Sequence, residues 1–424
     1  MGHAKTLDDA YSYLNPLLEL KKDKPYWKWF YIERSNNTLN TLIRAIRKNL
    51  DHHCFLYSGH TGCGKSTELE RLANTPILNK EFLIIHYSIK EELDPANIDF
   101  ADILISIAAK LFIKATEQEL NFSDISLREI KEWKEAVIEH SDTFLGTMEL
   151  KVQADIKAFF LQFLGVLKGA KEQKESYTVK LKPRINQLID IINKRLVLEM
   201  GATLNKQALV IIDDLEKVSL EQAKSLFYDH GHLLASLQCN VIYTFPIALE
   251  YDLDMNSIIR LFGDVIRLPN IKIKDRTNQP VNENIELMKQ MVLKRIEENL
   301  IELKALEKSI EYSGGVLREL FRILFSACNH ALNRDMGKIT EEHVNSAITN
   351  IKNHYIFSLT EEHYPFLSKV YHSKEVGGEY PYVRLMHSLH VLKYANDHDW
   401  FDINPMIKER VEQKIRKQPE DVKF

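Results

Sequence analysis

Residues 59–66 read Gly-His-Thr-Gly-Cys-Gly-Lys-Ser, the pattern G-x-x-x-x-G-K-[ST]. These types at this spacing suit one chemistry, the cradling of phosphate. Gly59, Gly62 and Gly64 let the backbone wrap closely around an anion. The N–H groups of His60, Thr61, Cys63 and Thr67 then face inward, and the positive end of a following helix adds to them. Lys65 brings a compact cation to the β- and γ-phosphates, and Ser66 offers its hydroxyl to Mg²⁺.

Such a cradle needs a carboxylate for the metal at the end of a neighbouring strand. Residues 209–214, Leu-Val-Ile-Ile-Asp-Asp, supply one. Asp213 is placed to hold Mg²⁺, and Asp214, one step further, to orient or deprotonate an attacking water. Glu216 is a nearby alternative. A dinucleotide-binding dehydrogenase would carry G-x-G-x-x-G instead.

The elements that must hold these residues alternate. Strand signals at 53–59, 81–89, 208–218, 240–249 and 264–273 are separated by helical stripes such as Ile103, Leu104, Ile107 and Leu111. Strands apolar on both faces with helices between them predict an α/β fold with a parallel sheet. Residues 115–182 are rich in charge and predict a mostly helical insertion, in which the apolar run 158–167 is a buried helix or hairpin rather than a membrane span. From 284 onward the pattern is consecutive helices. Residues 357–424 predict helices and a hairpin turning at Asn396–Asp399.

At this point the motif order resembles AAA+ ATPases, and within them the origin-recognition-like and STAND branches. Residues 59–66 look like Walker A and 209–217 like Walker B. The strand Val-Ile-Tyr-Thr-Phe-Pro is similar to a sensor 1 strand with Thr244 at its polar tip. Ser313–Leu320 looks like the start of a sensor 2 helix, with Arg318 reaching back to the γ-phosphate. Phe30–Arg34 is similar to the F-x-G-R-E entry motif beside adenine, with Glu33 in place of the glycine and Arg34 on the ligand.

The resemblance implies an ATP- and Mg²⁺-binding core over 1–283, a helical lid over 284–356 and a winged-helix-like domain over 357–424. Asp-Asp, where vigorous hydrolases of the family carry Asp-Glu, implies slow turnover. Arg260 stands where the family puts an arginine finger, with Arg267 as second choice; a finger acts in trans and implies a homo-oligomer. The expected function is a switch regulating a protein effector, of the prokaryotic phage-defence type. The alternative is a DNA-binding loader or transposition regulator. A nucleotide kinase is disfavoured by Arg318.

A net charge of −4 argues against a polycation coating nucleic acid over its whole surface. DNA contact is left to a local patch, the cationic run Lys408–Lys417 of the C-terminal domain. Cys54, Cys63, Cys239 and Cys328 form no C-x-x-C pair, so a reducing, cytoplasmic setting is expected. His52, His53 and Cys54 lack a fourth metal ligand and read as solvated. Cys63 reads as small-residue packing, with thiol oxidation as the sharper alternative. Tyr380, Tyr382, Tyr394, Trp400 and Phe401 read as the small domain's core, Tyr380 and Tyr382 partly exposed.

Overall fold

The computed structural model describes residues 2–34, 37–48, 54–138, 152–168, 181–395 and 399–417. Five parallel strands form the central sheet: β1 (Cys54–Gly59), β2 (Phe82–Ser88), β3 (Gln207–Asp213), β4 (Asn240–Pro246) and β5 (Ile266–Arg267), in the order β2-β3-β4-β1-β5. Successive strand residues face opposite sides. Thus Leu209 and Ile211 of β3 join one apolar layer with Leu42 and Leu69, while Val210 and Ile212 join the other with Ile105 and Tyr243. Burial on both faces explains why β3 and β4 show no polar alternation in sequence.

The strand expected over 264–273 is cut to Ile266–Arg267. Pro269 cannot donate to a ladder, and the chain leaves the sheet there. Its departure has a use, because Leu268 N still donates to Ser58 O at 2.8 Å and Pro269 O accepts from Arg34. The apolar run 158–167 is helical, within Val152–Leu167, and buries Phe159, Phe160 and Phe163. The helix Asp124–Ile138 precedes it; the insertion's residues 139–151 and 169–180 lie outside the described residues.

Residues 284–356 fall in helices Asn282–Leu293, Leu303–Ser313, Leu317–Leu332 and Glu341–Phe357. The N-terminal helix Leu7–Tyr13 packs on this helical unit: Cys328 Sγ reaches Leu7 O, and Ala4 N donates to Arg295 O at 2.8 Å. The C-terminal part contains helices Tyr364–Ser373 and Tyr380–His387, then β6 (Val391–Tyr394) paired antiparallel with β7 (Trp400–Ile403), then helix Pro405–Lys417. The expected hairpin is therefore formed, although Asn396–His398 of its turn lie outside the described residues. Tyr394, Trp400 and Phe401 are core and Tyr380 is exposed, but Tyr382 is buried, its ring edge-on to Phe366.

Candidate nucleotide site

The sheet order determines the site. β4 lies between β1, which carries the glycine loop, and β3, which carries the carboxylates. Tyr57 pairs with Thr244 and Ile212 with Tyr243, so Thr244 stands between loop and Asp213 at the strands' C-terminal ends. Ligands of open α/β sheets bind at that edge. Thr244 is fully buried, and its hydroxyl accepts from Leu215 N at 2.9 Å. It fastens the acidic turn to the sheet.

The glycine loop runs directly into helix Lys65–Ala73. Lys65 Nζ donates to Gly59 O at 2.8 Å and His60 O at 3.1 Å, and it pairs with Glu216 Oε1 at 3.1 Å. Both side chains are almost fully buried. Burial, the largest influence, depresses the ammonium's pKa, but Glu216 together with Cys63 and Asp213 outweighs it and the net effect is upward. Glu216, the alternative in the sequence, is thus the lysine's partner. Its second oxygen, Oε2, is buried without a hydrogen-bond partner among the described residues.

Asp213, Asp214 and Glu216 each place one carboxylate oxygen within 4.8 Å of the others. Burial, then Glu216 and Asp214, push Asp213 up to about 6, while the Ser66 hydroxyl facing it acts the other way. Asp214 sits at φ +71°, a left-handed turn that Asp tolerates, and its N–H donates to Asp213 Oδ1 at 2.7 Å. Its carboxylate accepts from Ser88 Oγ at 2.6 Å, pairs with Lys90 at 3.0 Å and is bonded by Lys217. Burial raises its pKa, but Lys217, Ser88 and Lys90 together bring it below the usual carboxylate range. This oxygen-only donor set, with a serine hydroxyl beside it, fits Mg²⁺. Ser66 and Asp213 would hold it.

The start of helix Leu317–Leu332 meets the core through two glycines. A Cβ at Gly315 (φ +77°) would fall 1.8 Å from Ile271 O, so only glycine lets the start of helix Leu317–Leu332 come this close. That approach brings Arg318 N to Gly62 O at 3.1 Å. A Cβ at Gly62 (φ +86°) would in turn fall 2.5 Å from the Arg318 Cβ. The Arg318 Nε is buried without a partner among the described residues.

A cavity of about 670 Å³ joins these groups, lined by Arg34, Gly62, Gly64, Lys65, Ser66, Thr67, Asp213, Asp214 and Arg318 among others. Arg34 also acts as a strut, donating to Cys63 O at 2.8 Å and Pro269 O at 2.6 Å. Gly59, Thr61, Cys63 and Thr244, expected at the ligand or in catalysis, are not among the lining residues, and Cys63 Sγ packs against Leu268 O. His60 turns away from the cavity. Its Nε2 accepts from Lys393 N of β6 at 2.8 Å, and burial, Lys65 and Lys393 push its pKa to about 3. Arg260 is exposed on helix Met255–Phe262, away from the lining residues. Arg267 is tied to Glu250.

Several contributors have no motif to announce them. Ser88, Lys90 and Lys217 brace Asp214. Residues 16–21 line the cavity mouth, and the segment is held to the core by Lys21 on Glu91 (2.6 Å) and by Lys22 N on Glu70 (3.0 Å). His387, at the end of helix Tyr380–His387, lies within the field of Glu216; burial lowers its pKa and the carboxylate opposes that. Cys54, read together with His52 and His53, is buried in β1, while the two histidines lie outside the described residues.

No family model and no curated protein matches the chain. Among solved structures it is similar to Cdc6p from Pyrobaculum aerophilum, with 14% identity and a TM-score of 0.42 over 98% of this chain and 100% of that one. It is also similar to the Aeropyrum pernix ORC2 protein, with 13% identity and a TM-score of 0.41 over 92% and 98%. The Thermotoga maritima RuvB Holliday junction branch migration motor gives 12% and 0.37 over 97% and 100%. Likeness at this distance assigns no activity, and the functional reading rests on the site.

Proposed function

We infer that the chain is an ATP-binding, slowly ATP-hydrolysing switch of the AAA+/STAND kind, with a helical lid at 284–356 and a winged-helix-like domain at 357–424. The observation that carries this reading is that one phosphate loop is bonded to both units. Gly62 O accepts from Arg318 N at 3.1 Å, and His60 Nε2 accepts from Lys393 N at 2.8 Å. A ligand that adjusts the loop acts on both bonds at once. The arrangement shifts only as far as the γ-phosphate contacts one state better than the other.

Mg²⁺, when bound, neutralises charge on the phosphate oxygens. The chain's own residues do the rest. Lys65 is released from Glu216 to the phosphates, Arg318 senses the terminal phosphate from the lid, and Asp214 orients water. Pinned by two lysines, Asp214 is a weak base, in keeping with slow turnover. The output is a protein effector or a second copy of the chain, of the kind used in phage-defence regulation.

The alternative, a DNA-binding loader or transposition regulator, draws on the cationic helix Pro405–Lys417, where Lys408 is exposed. Duplex affinity that falls steeply with salt would favour it. Against it, helix Tyr380–His387 is packed with Tyr382, Val383, Leu385 and Met386 inward. The direct test is calorimetric titration of the full chain with ATP and Mg²⁺, followed by a turnover assay. The expected result is saturable binding with turnover well below the roughly 1–10³ s⁻¹ of ordinary enzymes. Absence of binding rejects the reading, and fast turnover rejects the switch.

A further inference from the structure

The cavity has a second, apolar end. One turn beyond Arg318 on the lid helix, Phe321 joins Phe30, Ile32, Leu18 and Met291 in its lining. Among these apolar groups stands one cation, Arg295, which also lines the cavity. It is 7% exposed. Its guanidinium lies 3.7 Å from the Phe321 ring centroid and 5.5 Å from that of Phe30. Its Nη1 donates to Tyr13 O at 2.8 Å, and its Nε is buried without a partner among the described residues.

No ion pair with a carboxylate compensates this charge among the described residues. Burial alone acts on its pKa and lowers it to about 9, with no opposing acid. Stacking on two rings offsets part of the cost, and one backbone carbonyl offsets another part. An unpaired buried donor is still expensive. A guanidinium has donors and no acceptor, so whatever satisfies it must bring acceptor atoms. The surrounding rings and aliphatic side chains suit a flat, partly apolar group. A nucleoside presents both, in its ring nitrogens, any exocyclic oxygen and its ribose hydroxyls.

We propose that Arg295 contacts the nucleoside half of the bound nucleotide, donating to an acceptor on its base or ribose. This rests on the nucleotide reading above. Arg318 and Lys65 serve the phosphates, whereas Arg295 gives affinity for what the phosphates are attached to. It also explains why the N-terminal segment is tied to this arginine through Tyr13: filling the nucleoside end firms up the mouth of the cavity.

The experiment compares ATP, GTP and inorganic tripolyphosphate binding by calorimetry, with Mg²⁺, in the parent and in Arg295→Met, which keeps an unbranched apolar chain but removes every donor. The expected result is a loss of about tenfold or more for whichever nucleoside triphosphate the parent binds, about 1.4 kcal/mol, with tripolyphosphate unchanged. Arg295→Lys should recover part of the loss. Equal weakening of nucleotide and tripolyphosphate, or no weakening of either, overturns the proposal. If Arg295→Met does not fold, protection of Arg295 from a guanidine-directed reagent by nucleotide, and not by tripolyphosphate, decides instead; equal protection by both overturns it. A parent that binds none of the three fails the nucleotide reading itself, a separate outcome.

Discussion

The imidazole of His60, inside the glycine loop, accepts a hydrogen bond from the backbone N–H of Lys393 at 2.8 Å, so the glycine loop and the C-terminal hairpin share one contact. His60→Ala leaves that N–H buried and unpaired, at a cost of about 1–3 kcal/mol. Proteolysis between the lid and the C-terminal hairpin should become faster, with nucleotide affinity altered less. His60 also gives a pH signature. Its pKa is pushed to about 3, so the unfolded chain holds the extra proton between about 3 and the ordinary ~6.5. Stability therefore falls as pH drops through that window, and His60→Ala should lose less on acidification than the parent. Identical acid profiles contradict the contact.

Lys65 and Glu216 are a buried pair at 3.1 Å. Lys65→Met should abolish triphosphate binding and also destabilise the free protein by about 3–5 kcal/mol, because Glu216 is left buried and alone. Lys65→Met combined with Glu216→Gln should recover more than about 1 kcal/mol of that loss. Strict additivity in thermal or urea unfolding, or retained affinity in Lys65→Met, contradicts the arrangement.

Asp213 and Asp214 should separate by pH and by kinetics. Asp213 is raised to about 6, so the native state keeps a proton that the unfolded state has released. Stability from this group is complete below about pH 4 and is lost as pH rises through about 6. Asp213→Asn should therefore gain on the parent in melting temperature between those values. Mg²⁺ needs the carboxylate free, so metal-dependent nucleotide affinity should weaken below about pH 6. Asp214→Asn should keep binding and slow turnover by about tenfold or more. Parallel pH curves, or undiminished turnover in Asp214→Asn, reject these roles.

Arg260 is exposed and reaches no part of its own chain's cavity. As a finger in trans, Arg260→Ala should leave ATP affinity intact and lower hydrolysis only at concentrations where the chain assembles. Equal loss at all concentrations, or none at any, removes it from catalysis.

The cradle and the carboxylates were legible because each sits at a strand end followed by a forced turn. Glycines mark the first, and the break in the apolar run at Asp213 marks the second. Arg318 was legible through the run Ser313–Leu320, and the structure lines the cavity with it. Three other things were not. Glu216, three residues beyond the strand, becomes the lysine's partner only because Thr244 on β4 fixes the intervening turn. His60 was legible only as a backbone N–H of the loop, since nothing local says that a hairpin more than 300 residues later packs on its ring. Residues 16–21 lie in a segment without motif or period, held at the cavity by Lys21 on Glu91 and Lys22 N on Glu70, and Arg295, within a run of helical pattern, carries no motif that marks it for the cavity.

The central claim is that nucleotide in the cradle acts on the C-terminal hairpin through the loop they share. Amide hydrogen exchange at Lys393, whose N–H is held by His60 Nε2, reads that contact directly. The account predicts that a non-hydrolysable ATP analogue with Mg²⁺ changes protection of Lys393 by about tenfold or more relative to ADP, as a shift of about 1.4 kcal/mol in an opening equilibrium requires, and that Lys65→Met abolishes the difference. Equal protection of Lys393 with the analogue and with ADP, both bound at saturation, would contradict it.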